Sequence, residues 1–277
     1  MARIFASIVI LVTAFYGTQG FAARVASLNP GLTDIVLSLG LEDALVAVSD
    51  YCVLPGTLKL TRIGSELTPR TETLIVAEPT HILTSHSVMK KELPTHLEKS
   101  KLELPLTQTN ELKEAILRLG KVFGKNEEAV TVATTLEEAL KPSQKRFSRV
   151  LVAAGISQHQ TAQLYLMNPN SLHGDLLTAA GFHLIRPQDT NRVWMVGPET
   201  FARLSPDLVI VLDPSAERAS VRDHYERTLK PAERFGKGKE LPRLYLTDPK
   251  LSSMGPKSFS LGIAAVEALE ASMATPQ

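Results

Sequence analysis

Short apolar runs such as Val46-Ala47-Val48 and Leu208-Val209-Ile210-Val211-Leu212 alternate along this chain with stretches whose apolar residues fall three and four positions apart. A run bounded by turn residues suits a strand buried on both faces, and the wider spacing suits an amphipathic helix. The pattern predicts strands at 24–27, 44–49, 81–84 and 102–106, with helices at 33–39, 88–99 and 111–123. A second series follows, with strands at 150–154, 208–212 and 243–246 and helices at 172–180, 218–229 and 258–272. Alternation of this kind favours mainly parallel sheets covered on both faces, the α/β class. Between the two series, Asn126 caps a helix on which Val130, Ala133, Thr134, Leu136, Ala139 and Leu140 recur at helical spacing, and Pro142 ends or kinks it.

The two series echo each other. Glu72-Thr73-Leu74-Ile75-Val76-Ala77-Glu78-Pro79 leads into His81-Ile82-Leu83 as Glu199-Thr200-Phe201-Ala202-Arg203-Leu204-Ser205-Pro206 leads into Leu208-Val209-Ile210. Each reads as a short helix that opens on a carboxylate near its positive end, stops before proline and feeds an apolar strand. Asn29-Pro30 leads through Leu32, Ile35, Val36 and Leu39 to Gly40, and Asn168-Pro169 leads through Leu172, Leu176, Leu177 and Ala180 to Gly181. Both echoes are separated by roughly 130 to 140 residues, which implies two related lobes in tandem. One helical connection between them makes a stiff hinge, with the lobes facing each other across a cleft.

Composition narrows the chemistry. The 277 residues suit about two domains, 44% are apolar, and 30 Lys+Arg against 29 Asp+Glu give a formal charge of +1. That balance lacks the basic excess with which nucleic-acid binders neutralise phosphates. The lone Cys52 excludes an intrachain disulfide, a CxxC pair and a cysteine-rich metal site. Arg3, the apolar stretch 4–15 and the small residues around Gly20 and Ala22 read as a cleavable export signal, since the apolar run is about half the length of a membrane span. The chain then divides into a signal peptide, 1–22; an N-terminal α/β lobe, 23–125; a bridging helix, 126–146; and a C-terminal α/β lobe, 147–277.

The run from Arg24-Val25-Ala26-Ser27-Leu28-Asn29-Pro30 through Gly40-Leu41, Val46 to Cys52, Pro55, Gly64 and the segment from Glu72 to Leu83 resembles the vitamin B12-binding and iron-chelate-binding periplasmic proteins of ABC importers. Asn170 to Gly181, and Trp194 through Glu199 to Val211, fall in the same family order. The resemblance implies an α/β fold of two Rossmann-like lobes joined by a single long helix, the helical-backbone type of periplasmic binding protein. It implies a periplasmic monomer with no cofactor of its own, which delivers a metal chelate to an ABC permease dimer with its ATPase subunits. Glutamates at the positions of Glu72 and Glu199, one per lobe, meet arginines on the two permease copies in that family.

For ligand contacts, Tyr51 follows a strand where open α/β sheets place ligands, and it matches a tyrosine lining the family's pocket. Trp194, the only tryptophan, lies in a polar stretch beside Arg192, which offers a bidentate partner to a carboxylate. His86 ends a strand and faces the cleft. His81, His159 and His173 carry no HExxH or other close ligand pair, so no direct metal site is expected. The clefts of the best-known B12 binders are walled by several aromatic rings. Here Ser65, Glu66 and Ser85 stand near those positions, so cobalamin, haem with Tyr51 on its iron, and a ferric siderophore balanced by Arg192, Arg62 or Lys90 all stay open. No GxSxG, GxxxxGK[ST] or GxGxxG motif occurs, and no paired-carboxylate constellation is placed. The sequence therefore reads as a binding protein without catalytic residues. A ligand sensor for a membrane receptor and a hydrolase without a recognisable motif are the other readings.

Overall fold

The computed structural model describes residues 23–85, 93–156, 163–185, 194–235 and 241–274. In the N-terminal lobe the order is β1 (Val25–Ser27), α1 (Pro30–Ser38), β2 (Leu45–Val48), β3 (Thr61–Arg62), α2 (Thr71–Val76), β4 (His81–Thr84), α3 (Thr95–Glu98), β5 (Lys101–Glu103) and α4 (Thr109–Phe123). Its five strands pair in the order β3-β2-β1-β4-β5, every pair parallel. Val25, Ala26, Ile82 and Leu83 are fully buried, as strands covered on both faces require.

Helix α5 (Asn126–Ala139) carries the chain across. Ala129, Ala133 and Leu136 form its buried stripe, and it packs along α4. The expected helix over 126–146 is shorter in the structure. It stops at Ala139, and the stretch through Pro142 leads into β6 without helix.

The second lobe runs β6 (Phe147–Ile156), β7 (Leu164–Leu166), α6 (Leu172–Ala179), β8 (Phe182–Leu184), β9 (Trp194–Val196), α7 (Pro198–Leu204), β10 (Leu208–Leu212), α8 (Ala219–Phe235), β11 (Arg243–Leu246) and α9 (Leu261–Ala274). Strands order β11-β10-β6-β7-β9, with β8 also on β6. The lobe is not wholly parallel, because β7 runs antiparallel to both β6 and β9. Long β6 pairs with β8 through its first half and with β7 through its second.

The internal repeat has a backbone signature. Glu78 and Ser205, at matched places between helix and strand, both adopt φ 44, a left-handed conformation uncommon outside glycine. In each lobe an arginine on or beside the first strand donates to the carbonyls that end the repeated helix. Arg24 Nε and Nη2 reach Glu78 O and Ala77 O, and Arg149 Nη2 reaches Leu204 O. The backbone amides of Thr80 and Asp207 donate to the carbonyls of those same two arginines. The other echo holds at its end, where Gly40 and Gly181 stop α1 and α6 at positive φ. It fails at its start: Asn29 caps α1, whereas Ser171, not Asn168, caps α6.

One apolar core runs through both lobes. Leu32, Ile35 and Val36 of α1 share it with Leu136 of α5, Leu176 and Leu177 of α6, and Leu261 and Ala265 of α9. Each fully buried aliphatic side chain of this kind contributes about 1.5 to 3 kcal/mol. Smaller clusters serve each lobe alone, around Ile63 and Leu74 in the first and around Phe201 and Tyr225 in the second.

Candidate ligand-binding cleft

Parallel strands end together, so the loops that follow them collect on one edge of a sheet. The loops after β2, β10 and β11 meet between the lobes and line a cavity of about 240 Å³ with Asp34, Tyr51, Pro214, Lys250, Ser253 and Lys257. Tyr51 stands at its edge with 72% of its surface exposed, so it is no core tyrosine. Its loop is fixed by neighbours. Arg62 Nη1 donates to the carbonyls of Ser49 and Cys52, both at 2.8 Å. Asp50 accepts Arg70 Nη2 at 2.6 Å, and that bond holds the Asp50 carboxyl below the usual range. Cys52 is buried, with its sulfur 3.0 Å from Thr33 Oγ1 and 3.2 Å from Ser49 Oγ. Arg62, read from sequence as a free counter-charge for ligand, is thus committed to the backbone of the Tyr51 loop.

On the same edge, at the ends of β1 and β4, Glu66 sits in a nest of donors. It accepts Thr84 Oγ1 at 2.7 Å, Ser85 Oγ at 2.9 Å, Asn29 Nδ2 at 3.0 Å and the Ser85 amide. Burial alone would raise its pKa, but these donors outweigh burial and hold it below the ordinary glutamate range. Asn29 serves twice, since its Oδ1 also caps α1 by accepting from Gly31 N and Leu32 N.

The floor of the cavity joins the lobes. Asp34 of α1 is only 2% exposed and accepts the Lys257 amide at 2.6 Å, while Lys257 Nζ faces its other oxygen at 3.0 Å. Burial lifts the Asp34 carboxyl above its usual range, against the opposing pull of Lys257. Backbones approach closely here: a Cβ on Gly31 would lie 2.7 Å from Met254 O, and one on Gly255 would lie 2.8 Å from Asp34 Cβ. Sequence reasoning did not single out Asp34, Lys257 or Ser253. Their juxtaposition joins positions more than 200 residues apart, and no local spacing announces it.

The remaining expected residues fall as follows. Trp194 opens β9 and pairs with Leu166, while its side chain lies outside the described residues, as do His86, Arg192, Lys90 and His159. His81 stacks edge-on against Phe123 at 5.0 Å, and burial lowers its pKa. His173 is buried in the first turn of α6, where Nε2 lies 2.9 Å from Ser253 O. Desolvation pushes its pKa down, so it is a structural histidine. Glu72 and Glu199 are exposed in the first turns of α2 and α7. Among the described residues, no cluster of three His, Cys, Asp or Glu side chains is placed to hold a metal ion, and no helix is long and apolar enough to cross a membrane.

Two lobes, a cleft at their strand ends and one helical crossing define a class of solute-binding protein. The family model for periplasmic binding proteins matches residues 25–228, and the chain belongs to that family. Membership makes it a periplasmic binding protein, not an enzyme. No curated protein sequence matches the chain significantly. Among solved structures, it is similar to the periplasmic heme-binding protein HutB of Vibrio cholerae, with 19% identity, a TM-score of 0.70, and coverage of 90% of this chain and 99% of that one. A periplasmic heme-binding protein of Pseudomonas aeruginosa gives 20% identity and a TM-score of 0.69 over 87% of this chain and 91% of that one. An ABC-type Fe3+-hydroxamate transport protein of Saccharomonospora viridis gives 18% and 0.67 over 90% and 93%. At such identities the likeness establishes the shared fold.

Proposed function

We propose that the protein binds a metal chelate between its lobes and delivers it, unaltered, to an inner-membrane ABC importer. The observation that carries this reading is the cavity at the strand ends of both lobes, with an exposed aromatic ring at its edge. A concave site with a few placed polar groups is the usual form of a small-molecule site. The heme-binding and Fe3+-hydroxamate proteins of the same fold support the ligand class, which includes corrinoids, haem and ferric siderophores. Tyr51, Trp194, Arg192 and His86 are the proposed ligand contacts. Glu72 and Glu199 are the proposed contacts to the two permease copies, whose ATPase subunits drive import. The proposed organisation is an export signal over 1–22, lobes over 23–125 and 147–277, the crossing segment 126–146, and a monomeric mature protein.

Absorbance spectra and gel-filtration retention of the purified protein with cyanocobalamin, haem and ferric siderophores test the reading. A shifted spectrum with co-elution for one of them is expected. No shift and no retention with any of them, or a new chemical product, would overturn it.

A further inference from the structure

The charged side chains that line the interlobe cavity are Asp34, Lys250 and Lys257, and two of them are spent on each other. Asp34 accepts the Lys257 amide at 2.6 Å, faces Lys257 Nζ at 3.0 Å and takes a side-chain bond from Ser253. Lys257 Nζ also lies 3.4 Å from the Val53 carbonyl. Lys250 is different. Among the described residues, no acid or other acceptor pairs with its Nζ. The acids around it are engaged elsewhere: Asp248 Oδ1 accepts the Lys250 backbone amide at 2.9 Å, and Asp213, next to the lining Pro214, accepts Ser215 and Tyr225. On the opposite lobe, Asp50 is paired with Arg70 and Glu66 is ringed by donors. Arg62, the counter-charge expected from sequence, is bound to loop carbonyls. Lys250 is therefore the cation that the cavity keeps in reserve.

Its backbone is fixed while its head is free. Pro249 precedes it, Asp248 holds its amide, the Leu251 amide donates to the Asp248 carbonyl at 3.0 Å, and the Ser253 amide donates to the Lys250 carbonyl at 3.3 Å. The Ser253 carbonyl lies 2.9 Å from His173 Nε2, which ties this turn to α6. Across the cavity stands the exposed Tyr51 ring of the other lobe. An ammonium group offers donors only, so an acceptor completes it, best an anionic oxygen, and the walls of a cleft focus the field of such a charge. We propose that Lys250 is a specificity-determining residue that receives an anionic oxygen of the ligand, a carboxylate or a catecholate, and so selects a negatively charged metal chelate. The proposal rests on the chelate-carrier reading and narrows it. Haem presents carboxylates and ferric enterobactin presents catecholate oxygens, whereas cyanocobalamin and ferrichrome carry no net charge.

Titration of the full mature protein with haem, ferric enterobactin, cyanocobalamin and ferrichrome, at low and at physiological ionic strength, tests this. The wild type should bind one of the two anionic chelates about tenfold or more tighter than either uncharged one, and which of them it binds separates a carboxylate from a catecholate. Lys250→Gln should weaken that binding by about tenfold, the worth of a hydrogen bond to a charged group, and flatten its dependence on salt. Lys250→Arg, which keeps the charge, should retain most of the affinity and the salt dependence. Both variants should unfold at the wild-type midpoint, because the Lys250 head has no partner to lose. Unchanged affinity for the anionic chelate in Lys250→Gln, a loss in Lys250→Arg equal to that in Lys250→Gln, or tightest binding of an uncharged chelate would each overturn the role of Lys250 and leave the carrier reading intact. Failure of the wild type to bind any of these chelates would overturn both.

Discussion

Gly255→Ala tests how the two lobes are registered. Gly255 has φ −135 and ψ −173, extended backbone open to any residue, so the cost of the substitution is steric alone. The added Cβ would lie 2.8 Å from Asp34 Cβ, Asp34 Oδ2 and the Gly31 carbonyl. Carbon atoms in good contact sit about 3.5 to 4.0 Å apart, so the two backbones must separate by most of an ångström. Overpacking of this kind costs about 1 to 3 kcal/mol. The shift also disturbs the 2.6 Å bond from the Lys257 amide to Asp34, and a bond to a charged group is worth about 1.5 to 3 kcal/mol when lost outright. A total of about 2 to 4 kcal/mol follows, allowing for partial relaxation. At about 2 to 4 °C per kcal/mol for a chain of this size, the melting midpoint falls by roughly 5 to 15 °C. Circular dichroism during thermal and urea unfolding measures it. Gly56→Ala, where an added Cβ meets nothing within 4 Å, is the control and should be neutral or slightly stabilising. Stability of Gly255→Ala within about 0.5 kcal/mol of wild type, the ordinary scatter of surface changes, would refute the tight interlobe contact.

Three further outcomes are expected. Tyr51→Ala should change stability by less than about 0.5 kcal/mol, because the ring is 72% exposed, while weakening chelate binding by about 1 to 3 kcal/mol; wild-type affinity in a titration would remove Tyr51 from the site. Glu66→Gln should cost about 1 to 3 kcal/mol near neutral pH, since an amide nitrogen replaces an acceptor among donors. Because the Glu66 pKa is depressed on folding, its stabilisation is complete above the unfolded value of about 4.3 and is lost as pH falls through the folded one. The gap between variant and wild type in urea unfolding should therefore narrow in acid, and a gap independent of pH would count against the nest. Glu72→Ala with Glu199→Ala should leave chelate affinity intact and cost each helix only about 0.3 to 1 kcal/mol, yet impair uptake more together than singly; full uptake by the double variant, in cells lacking another carrier for the chelate, would reduce both to helix-end acids.

Long-range order was legible where it repeats a local pattern. Apolar runs at 81–84, 208–212 and 243–246 became β4, β10 and β11 with the expected bounds, since a strand buried on both faces has little freedom in composition. The repeat led to the two lobes, although the arginines that brace it went unnoticed because Arg24 and Arg149 sit outside the matched segments. Strands β3, β7, β8 and β9 were missed. Each has two or three residues, too few for a period to emerge, and the pairing of β7 with β6 and β9 is decided by neighbours rather than by its own sequence. Tyr51's place on the cavity lining was legible because it follows a strand, its role toward a ligand being the proposal made above. Asp34 was not, because on the sequence it is one polar residue in an amphipathic helix, and only the fold brings Lys257 to it.

The core that runs from α1 through α5 and α6 to α9 ignores the boundary between the lobes, and this bears on how the molecule comes apart. Neither half owns its hydrophobic interior, so a fragment holding one lobe would present Leu32, Ile35 and Val36, or Leu176 and Leu177, to water. Such fragments would aggregate or seek their complement, and the intact chain would melt in one calorimetric step with equal van't Hoff and measured enthalpies. The same continuity makes gaping of the cleft expensive for the protein on its own. Separating the lobes would be mechanical work against that shared interior.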